Sequence, residues 1–194
     1  MNSVAPIYVH KLTQLKDLFG ALLSGRHINR LVDHALWAEL EREQITYETL
    51  FDSLGYRLRV DGRGFAWFQT EDATSNVSKT TRQLALLFML VFEFQADAGL
   101  HLGRFTEWLI DHSLLAAILE KSHLLLEAEG LADLEILTQL LKTASNYGFT
   151  IADGSGWRLL SAVYRYLDRF EELAQQGQQN GEASEDEEMR EETV

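Results

Sequence analysis

Three arginines are the residues best placed to act on a partner. Arg57, Arg59 and Arg63 fall on or beside one short segment whose flanks, Tyr56 to Val60 and Phe65 to Phe68, have strand composition. Its centre, Asp61-Gly62-Arg63-Gly64, suits a tight hairpin because glycine reaches positive φ without steric cost. Residues two apart on a strand share a face, so Arg57 and Arg59 lie together, opposite Leu58 and Val60. Guanidinium groups in such a row can hold phosphate oxygens, although a solvent-facing strand also carries charges as a matter of course. Lys142 is the matching candidate DNA contact in the second half of the chain.

Catalytic chemistry finds little support. No glycine-rich loop ends in Gly-Lys-Ser or Gly-Lys-Thr, so there is no recognisable nucleotide cradle. His10, His27, His34, His101, His112 and His123 are scattered, without the helical His pair of a zinc site. Asp111, His112 and Ser113 are adjacent, but neighbours on a helix point about 100° apart and cannot form a relay. Asp153-Gly154-Ser155 resembles the start of a calcium loop whose later ligands are missing. The expectation is a protein without catalytic residues, cofactor, metal or small-molecule substrate.

The hairpin segment has a counterpart. Asp61-Gly62-Arg63-Gly64-Phe65 is answered 92 residues later by Asp153-Gly154-Ser155-Gly156-Trp157. Each copy follows an apolar-striped helical segment that ends in glycine plus an aromatic, Gly55-Tyr56 and Gly148-Phe149. Helices closed by a two-stranded hairpin make a winged helix, so the expected fold is mainly α with small β-hairpin wings, in tandem winged-helix domains. The domains span 1–70 and 80–174, with a polar linker at 71–79 and a disordered acidic tail at 175–194.

Composition sets the outer bounds. The 194 residues carry a net charge of −13, with 46 % hydrophobic residues, one proline and no cysteine. Between Glu182 and Glu192 seven acidic residues face one arginine, a net −6, which leaves −7 for the rest. An acidic body repels phosphate backbones at long range and disfavours strong autonomous DNA binding. The absence of cysteine fits a reducing cytosol. No signal peptide is read at the N-terminus, and the most apolar run, Leu84 to Phe94, is too short to cross a bilayer.

Hydrophobic spacing places the elements. Leu12, Leu15, Leu18, Phe19, Leu22 and Leu23 make a first helix stopped by Gly25. Ile28, Leu31, Val32, Ala35, Leu36 and Leu40 form a second stripe, and Thr46 caps a third, short helix. In the second half a buried helix around Leu84 to Phe94 precedes a loop between Gly99 and Gly103. Phe105, Trp108 and Leu109 then begin the next helix, and Leu134, Leu137, Leu140 and Leu141 supply the one before the second hairpin. A last helix carries Leu160, Val163, Leu167, Phe170 and Ala174.

Leu22-Leu23-Ser24-Gly25-Arg26-His27-Ile28 resembles the stretch near the start of MukE, the accessory subunit of a bacterial condensin. Tyr47, Leu50, Phe51, Leu54, Gly55 and Tyr56, followed by Gly64-Phe65-Ala66-Trp67-Phe68, are similar to the pattern of MksE, the shorter MukE-like subunit. The resemblance implies a kleisin-interacting tandem winged-helix subunit of a MksBEF/MukBEF-type complex. It also implies a cytoplasmic, nucleoid-associated homodimer that reaches an SMC-like ATPase through the kleisin. It assigns no individual role to Ser24, Gly25, Arg26, His27 or Ile28, which by themselves read as a helix stop and connecting turn.

Trp37, Trp67 and Phe68 are the candidate partner contacts, since large aromatics anchor interfaces. Adjacent strand residues face opposite ways, so Trp67 and Phe68 cannot both enter one core, and one must meet another element or another chain. The helix before the first hairpin offers Glu48 and Asp52 where a DNA reader needs donors, and the one before the second offers Gln139, Lys142, Thr143, Ser145 and Asn146. Two further readings stay open: a winged-helix transcription regulator, and the equivalent subunit of an anti-plasmid defence complex.

Overall fold

The computed structural model describes residues 9–69 and 78–176. Most of the expected linker and the acidic stretch from Glu182 to Glu192 lie outside them. The chain divides into two compact units, Met1–Ala162 and Val163–Val194.

The first unit contains one succession of elements twice. In the first half α1 (Leu15–Leu23), β1 (Ile28–Asn29), α2 (His34–Arg42) and α3 (Gln44–Ser53) lead into the hairpin of β2 (Arg57–Asp61) and β3 (Phe65–Gln69). In the second, α4 (Lys79–Asp97), β4 (Leu109–Ile110), α5 (His112–Lys121), a short α6 (His123–Ala128) and α7 (Leu134–Asn146) lead into β5 (Thr150–Asp153) and β6 (Gly156–Leu159). The sheets are three-stranded and antiparallel, in the order β1-β3-β2 and β4-β6-β5. Both hairpins sit where the Asp-Gly repeats place them, and the fold is mainly helical with winged-helix-like β-ribbons. In the second unit residues 164–176 form a helix, α8, in which the Tyr166 and Phe170 rings lie 6.4 Å apart.

The edge strands β1 and β4 depart from the expected pattern. Ile28 does not belong to the second helix; it pairs with Ala66, and Asn29 pairs with Phe65. The chain then turns through Asp33, whose backbone N–H reaches the Asn29 carbonyl at 2.8 Å while its carboxylate accepts from the Asn29 N–H at 2.8 Å. Leu109 likewise pairs with Arg158 instead of starting a helix. Residues Leu102–Glu107 form a 3-10 turn, and α5 begins only after Asp111, whose carboxylate caps the Leu114 N–H at 2.8 Å. Strands of two residues are too short to show a period of their own. Two smaller corrections follow the same lines: Thr46 lies inside α3 and caps nothing, and Leu160 precedes the last helix, donating its N–H to Phe149.

The first core gathers Leu18, Leu22, Ile28, Trp37, Leu40, Tyr47, Phe51, Leu58 and Ala66. Phe19 and Phe68 close on Phe51 with centroids 5.6 and 5.0 Å away, and Tyr56 stacks on Phe68 at 5.1 Å. Burial of each such side chain contributes about 1.5–3 kcal/mol. Glu39 is buried in this apolar setting, and its carboxylate accepts from the Thr13 N–H (3.1 Å), the Gln14 N–H (2.8 Å), the Tyr47 hydroxyl (2.5 Å) and the Thr13 hydroxyl. Burial alone would raise its pKa; the hydrogen bonds outweigh burial and hold it below the ordinary value. Burial, reinforced by the bond to Glu39, pushes the Tyr47 phenol upward.

The two halves meet where the α1–β1 turn touches the α7–β5 turn. Gly25, at φ +81°, ends α1 in a Schellman turn, with Gly25 N–H bonded to Leu22 (3.0 Å) and Arg26 N–H to Ala21 (3.1 Å). That sends His27 to the second half, where the Tyr147 carbonyl accepts from its backbone N–H at 3.0 Å and from its ring Nδ1 at 2.9 Å. Asn29, fully buried, donates its side-chain amide to Gly148 (2.9 Å) and His27 (3.3 Å) and accepts from the Ala162 N–H (3.3 Å). The His27 ring lies between Phe149 at 4.5 Å and Trp67 at 6.3 Å. Gly148 has no substitute here, because a Cβ on it would stand 2.4 Å from the His27 carbonyl oxygen.

Replacing Gly148 by alanine is expected to lower stability by about 2 kcal/mol or more, a fall of about 4–8 °C in Tm. Gly55→Ala, at a similar positive φ but with open space around it, should cost only about 1 kcal/mol. Equal melting temperatures for the two variants would show that the join does not press on Gly148. Because the folded pKa of Glu39 is depressed, its contribution is present above the unfolded value near 4.5 and is lost as pH falls through the folded one. Glu39→Gln should therefore cost about 2 kcal/mol at pH 7 and flatten the acid side of the stability curve in urea titrations, and an unchanged acid limb would refute the assignment.

Candidate functional site

The first hairpin presents its arginines as the strand period requires. Arg57 and Arg59 are exposed on one face of β2, while Leu58 is buried on the other with Val60 partly buried beside it. Arg59 Nε donates to Gln69 Oε1 at 2.6 Å across the ladder, a neutral contact that leaves its charge uncompensated. Arg63 behaves differently. It grips Asp61 through Nε–Oδ1 at 2.9 Å and Nη2–Oδ2 at 2.7 Å, and its guanidinium lies 5.7 Å from the Phe65 centroid. The Arg63 guanidinium beside Asp61 holds that carboxyl below its usual range. Arg63 is thus spent on its own turn and does not extend the Arg57–Arg59 pair.

Between α3 and β2 runs an open groove of about 410 Å³ lined by Glu48, Thr49, Asp52, Arg57, Leu58 and Arg59. Its two rows of opposite charge make the helix side unfavourable for phosphate and the strand side favourable. Lys142 is exposed on α7, away from this groove, in a row with Gln139 and Asn146. The neighbouring hydroxyls turn back on their own helix, Thr143 to the Gln139 carbonyl at 3.0 Å and Ser145 to that of Leu141 at 3.1 Å. In the second hairpin Arg158 pairs with Asp153 at 2.7 Å, so both wing hairpins carry an internal Asp–Arg pair.

The aromatic candidates are used inside the chain. Trp37 is 5 % exposed and belongs to the first core, so the expectation of a partner contact there is corrected; its helix stripe faces inward. Phe68 packs into the same core beside Phe51 and Tyr56. Trp67 takes the opposite face of β3, stacks on Phe65 at 5.3 Å and meets His27 at the join. The element that Trp67 had to meet is therefore the other half of the same unit. Exposed apolar groups are mostly aliphatic: Ile45 is 80 % exposed on α3 and Leu124 82 % on α6.

The Ser24–Ile28 motif acquires a position. Ser24 caps α1 and donates its hydroxyl to the Ala21 carbonyl at 2.7 Å, Arg26 pairs with Asp33 at 2.5 Å, His27 bonds the second half and Ile28 enters β1. Asn29, Tyr147 and Gly148 complete this junction; the sequence marks Gly148 only as the end of a helix, because nothing in local spacing shows residues 119 positions apart as neighbours. Among the described residues no group of three or more His, Asp or Glu side chains is arranged to hold a metal ion, and no helix is long and apolar enough to cross a membrane.

Comparison with known families matches residues 13–171 to MksE, described as condensin complex protein MksE. No curated protein matches the chain. The matched span takes in both winged-helix-like ribbons, the Ser24–Ile28 turn and every contact of the join. The chain therefore belongs to the MksE family and is a condensin complex subunit.

Proposed function

We propose that the protein is a non-catalytic subunit of a bacterial SMC-like condensin, of MksBEF/MukBEF type, that binds the kleisin and takes part in chromosome organisation and segregation. The observation that carries the proposal is the family match across residues 13–171, which spans both halves of the fold. In this reading the two halves are tandem winged-helix domains divided at 71–79. The protein is a cytoplasmic, nucleoid-associated homodimer, and the kleisin links it to the SMC-like ATPase. An extended partner segment buries apolar anchors against it while charged residues at the rim set register.

DNA is a secondary ligand, met inside the assembly. The chain's charge of −13 opposes long-range attraction, and Glu48 and Asp52 occupy the helix that would enter a major groove. Arg57 and Arg59 supply a local phosphate contact from the wing, and Lys142 supplies a second cation on α7. These features disfavour a transcription regulator that reads a site by itself.

Copurification decides the main point: the tagged full chain should retain a kleisin-type subunit through size exclusion, and a lone monomer recovered beside abundant kleisin would overturn the proposal. In the assembled complex, Arg57→Glu with Arg59→Glu is expected to weaken duplex DNA binding about tenfold at low salt and to reduce the salt slope by about 2. Arg63→Ala should change it less than about twofold, since that charge is already paired. Unchanged affinity in the double variant would remove the wing from the DNA path.

A further inference from the structure

Gln95 lies in the last turn of α4 and is only 8 % exposed, yet its side-chain amide makes no hydrogen bond among the described residues. Buried polar groups are almost always paired with protein or water, and no protein group described satisfies this amide, which leaves it to solvent or to a ligand. Its polar atoms are not among those sealed from solvent. They open on a groove of about 420 Å³ whose other walls include Leu100, His101, Arg104, Trp108 and Leu109.

The chemistry of the groove selects its occupant. A primary amide offers a donor and an acceptor side by side, the complement of a peptide group. Arg104 and Glu107 are the Arg and Glu of the lining and hold each other at 2.6 and 3.0 Å, so that guanidinium is already neutralised. The His101 Nδ1 accepts from the Gly103 N–H at 3.1 Å, which occupies that ring nitrogen locally. A phosphate would find no uncommitted cation, while a neutral segment meets a neutral lining. The apolar side is generous, with Leu100 and Leu109 both 44 % exposed. Among the described residues β4, which carries Leu109, ends its sheet and pairs with no strand beyond β6, leaving a backbone edge beside the groove.

We propose that this groove binds an extended, uncharged segment of the partner protein, one peptide group pairing with Gln95 and one apolar side chain seated against Leu100, Trp108 and Leu109. The inference rests on the reading of the chain as a kleisin-binding subunit and adds the place and chemistry of the contact.

The test measures affinity of the purified full chain for the intact kleisin subunit of its own complex, by calorimetry. The variants are Gln95→Leu, Leu109→Asp and, as a control on the first half, Ile45→Asp. Wild type should bind, Leu109→Asp should weaken binding at least about tenfold and Gln95→Leu about fivefold, with Ile45→Asp unchanged. Gln95→Leu should leave Tm unchanged or higher, since it removes an unpaired buried amide; a purely structural glutamine would lose stability instead. A photo-crosslinker at Leu102, on the adjoining turn, should yield a kleisin peptide that lacks charged residues at the crosslinked position. Wild-type binding that all three variants share within twofold, or a crosslink to a second copy of this chain, overturns the groove assignment alone. Failure of wild type to bind the kleisin overturns the functional reading and the groove together.

Discussion

The contact between the α1–β1 turn and the α7–β5 turn is the constraint on which the arrangement of the two halves depends. Apolar packing between Trp67, His27 and Phe149 drives the surfaces together, but burial of that kind is non-directional and would tolerate sliding. Hydrogen bonds remove that freedom. Asn29 bonds three separate points of backbone, at His27, Gly148 and Ala162, and every one must be satisfied because the side chain is fully buried. The absence of a side chain at Gly148 lets the backbones approach, and the same residue's positive φ ends α7. One glycine thus stops a helix, admits the neighbouring carbonyl and sets the point from which β5 departs.

Fixing the halves also fixes where charge can act. Each hairpin neutralises its own arginine, Arg63 with Asp61 and Arg158 with Asp153, so neither of these guanidinium groups is an uncompensated cation. The uncompensated charge of the first wing is displaced onto the β2 face, where Arg57 and Arg59 stand across a groove from Glu48 and Asp52. Facing rows of opposite sign have little net charge at a distance and a steep local pattern. Such a pattern sets register in a close contact better than it steers a distant polyanion.

Much of the fold was legible in the sequence because it is carried by local chemistry. Asp-Gly turns marked both hairpins, the Gly-aromatic pairs marked the ends of α3 and α7, and alternation placed Arg57 and Arg59 outside with Leu58 inside. What stayed hidden depends on distant residues. Ile28-Asn29 and Leu109-Ile110 are strands only because β3 and β6 offer them an edge, and a two-residue segment has no periodicity to betray it. Ser24 to Ile28 was visible as a family motif without a role, since the partners that give it one, Tyr147 and Gly148, lie about 120 residues on. Arg63 was grouped with Arg57 and Arg59 by proximity, and only the bidentate geometry on Asp61 separates them.

The candidate aromatics are all engaged within the chain, which bears on what a partner would have to bring. Trp37 and Phe68 are needed for the first core, and Trp67 is needed for the join. A protein with small helical modules has few large side chains to spare, because each one left outside weakens an already small core. The apolar groups that remain exposed among the described residues, Ile45, Leu100, Leu109 and Leu124 among them, are mostly aliphatic. Aliphatic walls and an open amide suit the receiving side of such a contact, since binding energy concentrates in bulky side chains inserted from the other side. In the proposed contact this asymmetry would give the subunit the shaped surface and the partner segment the anchoring side chain.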